Sequence, residues 1–189
     1  MEPRAIRLCI SIAMILGAAL LRVLPHPPNV APMVAMGLFA GAHIRLKWPA
    51  WIIPLGAMLV SDLLYQLYWG WGLHVHMPAV YLSLALTTWL GRNLGNRAWW
   101  HSLPTAATGS LLFFVVTNFS VWALGQTYPH NWSGLTQCYL MALPFLRNAL
   151  AGDLFYTAAM FGAFAWLSHF YGIHSKTEAS QHHALNESV

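Results

Sequence analysis

The sequence predicts an all-α integral membrane protein, a bundle of six transmembrane helices, and its composition carries that prediction. Of the 189 residues, 58% are hydrophobic and only 7% are charged, whereas a soluble domain has about 25% charged residues. So few charges cannot solvate a globular surface, and a chain of this length holds about six apolar runs of ~20 residues. The basic residues stand singly or in pairs between apolar runs, which excludes a nucleic-acid partner and favours membrane lipid.

The first three apolar runs cover residues 8–21, 30–44 and 48–69. We interpret the first as a retained span, because no A-x-A cleavage site follows it and more apolar runs come later. The second follows a proline-rich loop that no helix can cross. As a helix it is about 22 Å long, which is short for a hydrocarbon core of ~30 Å. Because it also contains Pro32 and several small residues, we expect a kinked or buried helix.

The remaining spans are predicted at residues 78–94, 104–124 and 145–171. Residues 135–144 are apolar but too short to span a membrane, and we interpret them as a re-entrant or interfacial helix. The spans form one domain, residues 1–173. The polar segment 174–189 is predicted to be a disordered cytoplasmic tail.

The basic residues predict the orientation. With the amino terminus in the cytoplasm, seven basic residues lie inside and two, Arg22 and Arg147, lie outside. Cytoplasmic loops carry such an excess of Lys and Arg. Both termini are therefore predicted to be cytoplasmic.

The third run contains one acidic residue, Asp62, at a position where a charge facing lipid would be costly. Asp62, Tyr65, Gln66 and Trp69 are spaced i, i+3, i+4, i+7 and therefore share one helix face. A carboxylate in hydrocarbon costs at least a few kcal/mol unless it faces protein or water. Asp62 therefore either lines a binding pocket or links two helices, and the sequence leaves both alternatives open.

Other unusual side chains gather at the same predicted outer side of the membrane. They are Asn118 and Trp122 in the fifth span, Arg147, Asn148 and Asp153 in the sixth, and the loop residues His74, His76 and His130. The inner halves of the spans have almost no such groups, which argues against an ion channel. Aromatic residues around a few polar groups predict an outward-facing small-molecule pocket.

The two histidines of the third-to-fourth-span loop are candidate metal ligands. His74 and His76 would face the same way on an extended loop and could bind a metal ion together with a third group. The alternative is that they are interfacial histidines. Enzyme motifs are missing, and without a P-loop the chain cannot itself hydrolyse ATP. A rival function stays open, a small membrane-embedded enzyme that uses Asp62, Asp153 and the loop histidines on a lipid or envelope substrate.

Small residues recur every four positions in the first run, at Ala5, Cys9, Ala13 and Gly17. A stripe of small residues lets another helix approach closely. It serves either packing within this chain or the docking of a partner subunit.

Several motifs resemble a family of uncharacterised bacterial six-span proteins. They are LRVLPHPPNVAP at residues 21–32, GLFAGA at 37–42, Ser61-Asp62, PFLRN at 144–148 and GDLF at 152–155. That family is similar to the substrate-binding S-components of energy-coupling-factor (ECF) vitamin transporters. The resemblance implies a six-helix protein of the bacterial inner (cytoplasmic) membrane with both termini inside and an outward-facing vitamin pocket. It also implies that the stripe on the first helix docks an ECF-type coupling subunit, which associates with ATPases.

Some solitary relatives of those proteins import cobalamin and ligate its cobalt with a loop cysteine. In this sequence His74 and His76 occupy the corresponding loop instead. Cobalamin is therefore the leading candidate for the transported ligand, and no other cofactor is expected. The predicted function is uptake of a small nutrient, a vitamin, by a membrane protein that binds it from outside.

Overall fold

The computed structural model describes residues 3–25, 27–44, 50–70, 72–95 and 97–170, and all regular elements in these ranges are helical. The helices are α1 (Pro3–Leu21), α2 (Met33–His43), α3 (Ile52–Trp69), α4 (Met77–Gly91), α5 (Ser102–Leu124) and α6 (Trp132–Phe170), with a 3-10 turn at Trp99–His101. The all-α prediction is confirmed. The predicted tail 174–189 and the end of the predicted domain at residue 173 lie outside the described residues.

Three segments are long and apolar enough to cross a membrane, namely Ile52–Trp69, Trp99–Leu124 and Trp132–Phe170. Apolar segments of fewer than 18 residues are Ala5–Leu21 of α1 and the helices α2 and α4. With 11 residues, α2 is only about 16 Å long. The prediction of a membrane protein is supported by these helices, while six complete spans stay a prediction.

The short helix α2 lies at the centre of the bundle. It contacts all five other α-helices, and its residues from Val34 to Ala42 are all buried. Pro32 precedes its first residue, a position where the missing N–H of proline leaves nothing unpaired. A helix that is apolar all round is expected in a core. The prediction that this run is buried is confirmed.

Helices α2 and α4 pack backbone against backbone. A Cβ atom added at Gly41 of α2 would overlap the Thr88 carbonyl oxygen of α4, and one added at Gly91 would overlap the backbone of Leu38. Only glycine permits this approach. On the other side of α2, Phe39 packs edge-on against Phe161 and Phe164 of α6, each with ring centroids 5.3 Å apart.

Residues 135–144 do not form a separate re-entrant or interfacial helix, so that interpretation is wrong. They belong to α6, which is continuous over 39 residues with Pro144 inside it. Asn131 caps its start, because the Oδ1 atom accepts a hydrogen bond from the Gly134 N–H at 2.9 Å. At ~1.5 Å per residue, α6 is about 58 Å long and exceeds a hydrocarbon core of ~30 Å.

Contact with α5 holds the segment of α6 before the proline. The Tyr139 hydroxyl donates to the Val115 carbonyl at 2.7 Å, and the Cys138 thiol donates to the Asn118 carbonyl at 3.5 Å. A proline inside a helix removes one backbone hydrogen bond and favours a kink or break. These contacts with α5 help to offset that loss, which explains why the helix continues.

Candidate functional site

The side chains predicted to share one outer pocket do not meet in one place, and two of them, Asp62 and Asp153, belong to separate regions. The first region surrounds Asp62 and joins α1, α3 and α4. The second is a cavity among α2, α5 and α6 that is bordered by Asn118 and Asp153. Of the twelve predicted binding residues, these two line the cavity.

Asp62 is buried and has partners for both carboxylate oxygens. Its exposure is 1%. Oδ1 forms an ion pair with Arg22, and Oδ2 accepts a hydrogen bond from the Tyr81 hydroxyl at 2.9 Å. Arg22 also donates to Ser61 Oγ at 2.8 Å. Because a buried charge is tolerated when it is paired and hydrogen-bonded, these contacts favour the alternative in which Asp62 links helices.

Sequence reasoning missed Arg22 and Tyr81 as partners of this acid. Arg22 follows the last residue of α1, where a cation is favoured by the negative end of the helix dipole. It was counted only as an outer charge. The available signal was a lone acid in one apolar run and a lone base at the outer end of another, since such charges in a membrane protein pair with one another.

Gln66 and His76 fix the loop between α3 and α4. Gln66 Oε1 accepts a hydrogen bond from the Leu73 N–H at 3.0 Å. His76 Nδ1 lies 3.1 Å from Ser120 Oγ, which connects the loop to α5. On the same face of α3, the rings of Tyr65 and Trp69 are 6.4 Å apart, and Trp69 is exposed. Gln66 and His76 therefore have a structural role, since their side chains hold the loop between α3 and α4 in place.

His74 and His76 lie side by side, with ring centroids 6.0 Å apart. Partial burial lowers the pKa of His74, the neighbouring His76 lowers it further, and Asp62 opposes the shift. The low pKa favours the neutral imidazole, which is the form that binds metals. Within the described ranges, however, no three His, Cys, Asp or Glu side chains are grouped so that they could hold a metal ion. Ligation of cobalt by either histidine stays a prediction.

The cavity among α2, α5 and α6 has a volume of about 240 Å³. Its lining combines aromatic side chains with polar ones; the aromatic ones are Phe113, Phe114 and Phe145, and the polar ones include Ser110, Thr117, Asn118 and Asp153. Ala142 and Ala149 of α6 also line it, on either side of Pro144. Their small side chains leave the space between the helices unfilled.

Asp153 is the most deeply buried charged group at this cavity, with 4% exposure. Ser110 Oγ donates to its Oδ2 at 2.5 Å, and the backbone N–H of Val34 is a second donor. Val34 is in the first turn of α2, where backbone N–H groups lack partners within the helix. Pro32 supplies no capping side chain there. Asp153 therefore caps α2 from a neighbouring helix, and the helix dipole favours its negative charge.

Trp122 and His130 stabilise the loop 125–131 and do not line the cavity. Trp122 Nε1 donates to the Pro129 carbonyl at 3.0 Å, and His130 Nε2 lies 3.1 Å from the Gly125 carbonyl oxygen. Their rings meet edge-on at 5.7 Å. The two aromatic side chains thereby hold the loop that joins α5 to α6.

Arg147 and Asn148 of α6 are exposed. Asn148 Nδ2 donates to the Pro28 carbonyl at 3.4 Å, a long contact that connects α6 to the loop before α2. Neither side chain lines the cavity.

The small residues of α1 face away from the rest of the described chain. Ala5, Cys9, Ala13 and Gly17 are all exposed, and a Cβ atom added at Gly17 would meet nothing within 4 Å. The stripe therefore does not serve packing within the described part of the protein. Its face is available to lipid or to another chain.

Comparison with known proteins finds one family. A family model described as "Family of unknown function (DUF6580)" matches residues 3–178, which is nearly the whole chain. No curated protein and no solved structure matches.

Proposed function

The chain belongs to the family of unknown function DUF6580, and we propose that it binds a small nutrient, a vitamin-sized molecule, for uptake across a bacterial cytoplasmic membrane. The observation that carries this proposal is the cavity among α2, α5 and α6. Its aromatic walls and few convergent polar groups are typical of small-molecule sites. Asp153 also supports the proposal, because a buried acid within a membrane protein is costly and is expected mainly at functional sites.

The charge distribution supports an outward-facing site. The cavity is lined by Asn29, before α2 begins, and by Val121, near the end of α5. The distribution of basic residues supports an outer position for this end of the bundle. We propose that both termini are cytoplasmic and that the ligand enters from outside.

The cavity volume favours a ligand much smaller than cobalamin. The volume of the cavity is about 240 Å³. A corrin macrocycle with its side chains does not fit that volume. Cobalamin bound through His74 or His76 would need a different site, and unchanged corrinoid absorption after mixing with the purified protein would exclude it.

Filling the cavity tests the proposal. Ala149 lines the cavity, whereas Ala151 on the same helix is exposed and does not. We expect native mass spectrometry to detect a co-purifying small molecule on the wild-type protein and on Ala151→Phe. On Ala149→Phe its occupancy should fall at least about tenfold, because the phenyl group occupies the space. Equal occupancy on the two variants, or no bound molecule on the wild type, would contradict the proposal.

We further propose that the stripe on α1 docks a second membrane subunit, such as an ECF-type coupling subunit with its ATPases. The exposure of all four small residues supports this proposal, as does the missing P-loop, since active uptake then needs another protein.

Replacing Gly17 with leucine tests the docking. We expect uptake of the co-purifying ligand by cells to fall several-fold, because close helix approach is lost, while ligand occupancy in detergent stays unchanged. Gly162→Leu is the matched control, since an added Cβ there also meets nothing within 4 Å. If Gly17→Leu lowers occupancy and uptake together, the stripe is not a docking surface.

A further inference from the structure

We infer that the cavity among α2, α5 and α6 selects a small organic cation, such as an amine or a protonated nitrogen heterocycle that carries one flat ring. The inference rests on the proposed function and adds the chemical class of the ligand. Three properties of the cavity lead to it: the hydrogen-bonding groups left free, the buried carboxyl group, and the aromatic walls.

Three polar side chains of the cavity donate hydrogen bonds within the protein. Thr117 Oγ1 donates to the Phe113 carbonyl at 2.7 Å, and Asn118 Nδ2 donates to the Phe114 carbonyl at 2.8 Å. Ser110 donates to Asp153. A hydroxyl has a single donor but two lone pairs, and an amide oxygen only accepts. The groups left for a ligand are therefore mostly acceptors, which match a ligand rich in N–H donors.

Asp153 places a buried, ionisable carboxyl group in the cavity wall. Its two known donors, Ser110 and the Val34 N–H, leave acceptor positions unused, because a carboxylate offers about four. Among the residues that the structure describes, the ion pair with a cationic side chain is formed by Asp62 and not by Asp153. Arg147, the basic residue closest to Asp153 in sequence, is exposed and does not line the cavity.

A cationic ligand would stabilise the ionised form of Asp153. Burying a carboxylate away from water without a counterion is costly, and within a membrane such groups pair with an opposite charge. An anionic ligand would add repulsion to that cost. Asp153 therefore favours a cationic ligand over an anionic one.

The aromatic lining favours the same ligand class. Phe113 and Phe114 are half-buried in the wall formed by α5. The faces of phenyl rings attract cations and also pack against flat rings. The cavity volume of about 240 Å³ suits a single ring with a short substituent.

Two pairs of compounds of similar shape, each with one cationic and one neutral member, test the inference. The full-length protein in detergent is titrated calorimetrically with benzamidine and benzamide, and then with benzylamine and benzyl alcohol. We expect each cation to bind at least about tenfold more tightly than its neutral counterpart. The variant Asp153→Asn, which keeps an oxygen for Ser110, should reduce that preference to less than about twofold. Ala149→Phe should abolish binding of all four compounds.

A second variant covers the case in which Asp153→Asn does not fold. Thr117→Val conserves the shape of the side chain and removes an acceptor from the cavity wall. We expect it to weaken binding of both cations by about fivefold, in line with the loss of one hydrogen bond. An unchanged affinity would then overturn the inference.

The outcomes separate the ligand class from the proposed function. Equal binding of cations and neutral counterparts, a preference that survives in Asp153→Asn, or no binding of any compound overturns the cationic class. The proposed function still stands in those cases if the wild-type protein carries a co-purifying molecule that Ala149→Phe excludes. If it carries none, the proposed function fails as well.

Discussion

Replacing Asp62 with alanine is expected to lower the free energy of unfolding by about 3–5 kcal/mol, the range for breaking a buried ion pair from one side. The side chain of Asp62 is only 2% exposed and that of Arg22 20%, so solvent screens the pair weakly. The substitution also removes the acceptor of the Tyr81 hydroxyl. Reversible unfolding of the purified protein in mixed micelles measures the loss.

Ser61→Ala is the control for that experiment. It removes one hydrogen bond from Arg22 but leaves the ion pair with Asp62 intact. We expect a loss of only about 0.5–1.5 kcal/mol. If Asp62→Ala unfolds like the wild type but no longer retains its ligand, then Asp62 is a binding residue and not a link between helices.

Gly41→Ala is expected to destabilise the protein by about 1–3 kcal/mol or more, as overpacking of a tight core does. The new methyl group would overlap the backbone of α4 at Thr88 and Gly91, which no change of side-chain rotamer relieves. Because α2 contacts all the other α-helices, its displacement disturbs the whole bundle.

Gly56→Ala in α3 provides a control with the opposite sign. An added Cβ at Gly56 meets nothing within 4 Å, and alanine is favoured over glycine in a helix by about 1 kcal/mol. We therefore expect unchanged or increased stability for this variant. Equal effects of the two substitutions would contradict the backbone contact between α2 and α4.

The positions of most helices could be predicted, because each apolar run marks a segment that is removed from water. The burial of α2 followed from its shortness and its small residues. The continuity of α6 did not, since Pro144 and the short run before it indicate a break, and only contact with α5 overrides that local preference. Tertiary contacts of this kind are absent from the pattern of a single segment.

The candidate site was predicted less well for a similar reason. Periodicity identifies the face of one helix that a residue occupies, but not which helices meet at that face. Asp62 and Asp153 are both single acids near the predicted outer side. Asp62 contacts the end of α1 and α4, whereas Asp153 contacts α2 and α5. Periodicity alone therefore predicts one shared pocket for two acids that lie apart. Ser110 was overlooked, because a serine in an uncharged run carries no signal by itself.

Labelling of a cysteine inside the cavity tests whether the ligand site faces outward. Asn118→Cys is introduced into a protein in which Cys9 and Cys138 are replaced by serine and alanine, and intact cells are treated with a membrane-impermeant thiol reagent. Ala165→Cys, exposed near the end of α6, is the control for the inner side. We expect the cavity cysteine to react from outside and to be protected by the co-purifying ligand, while the control reacts only after permeabilisation. Reaction of Asn118→Cys only after permeabilisation, or without protection by the ligand, would contradict an outward-facing ligand site.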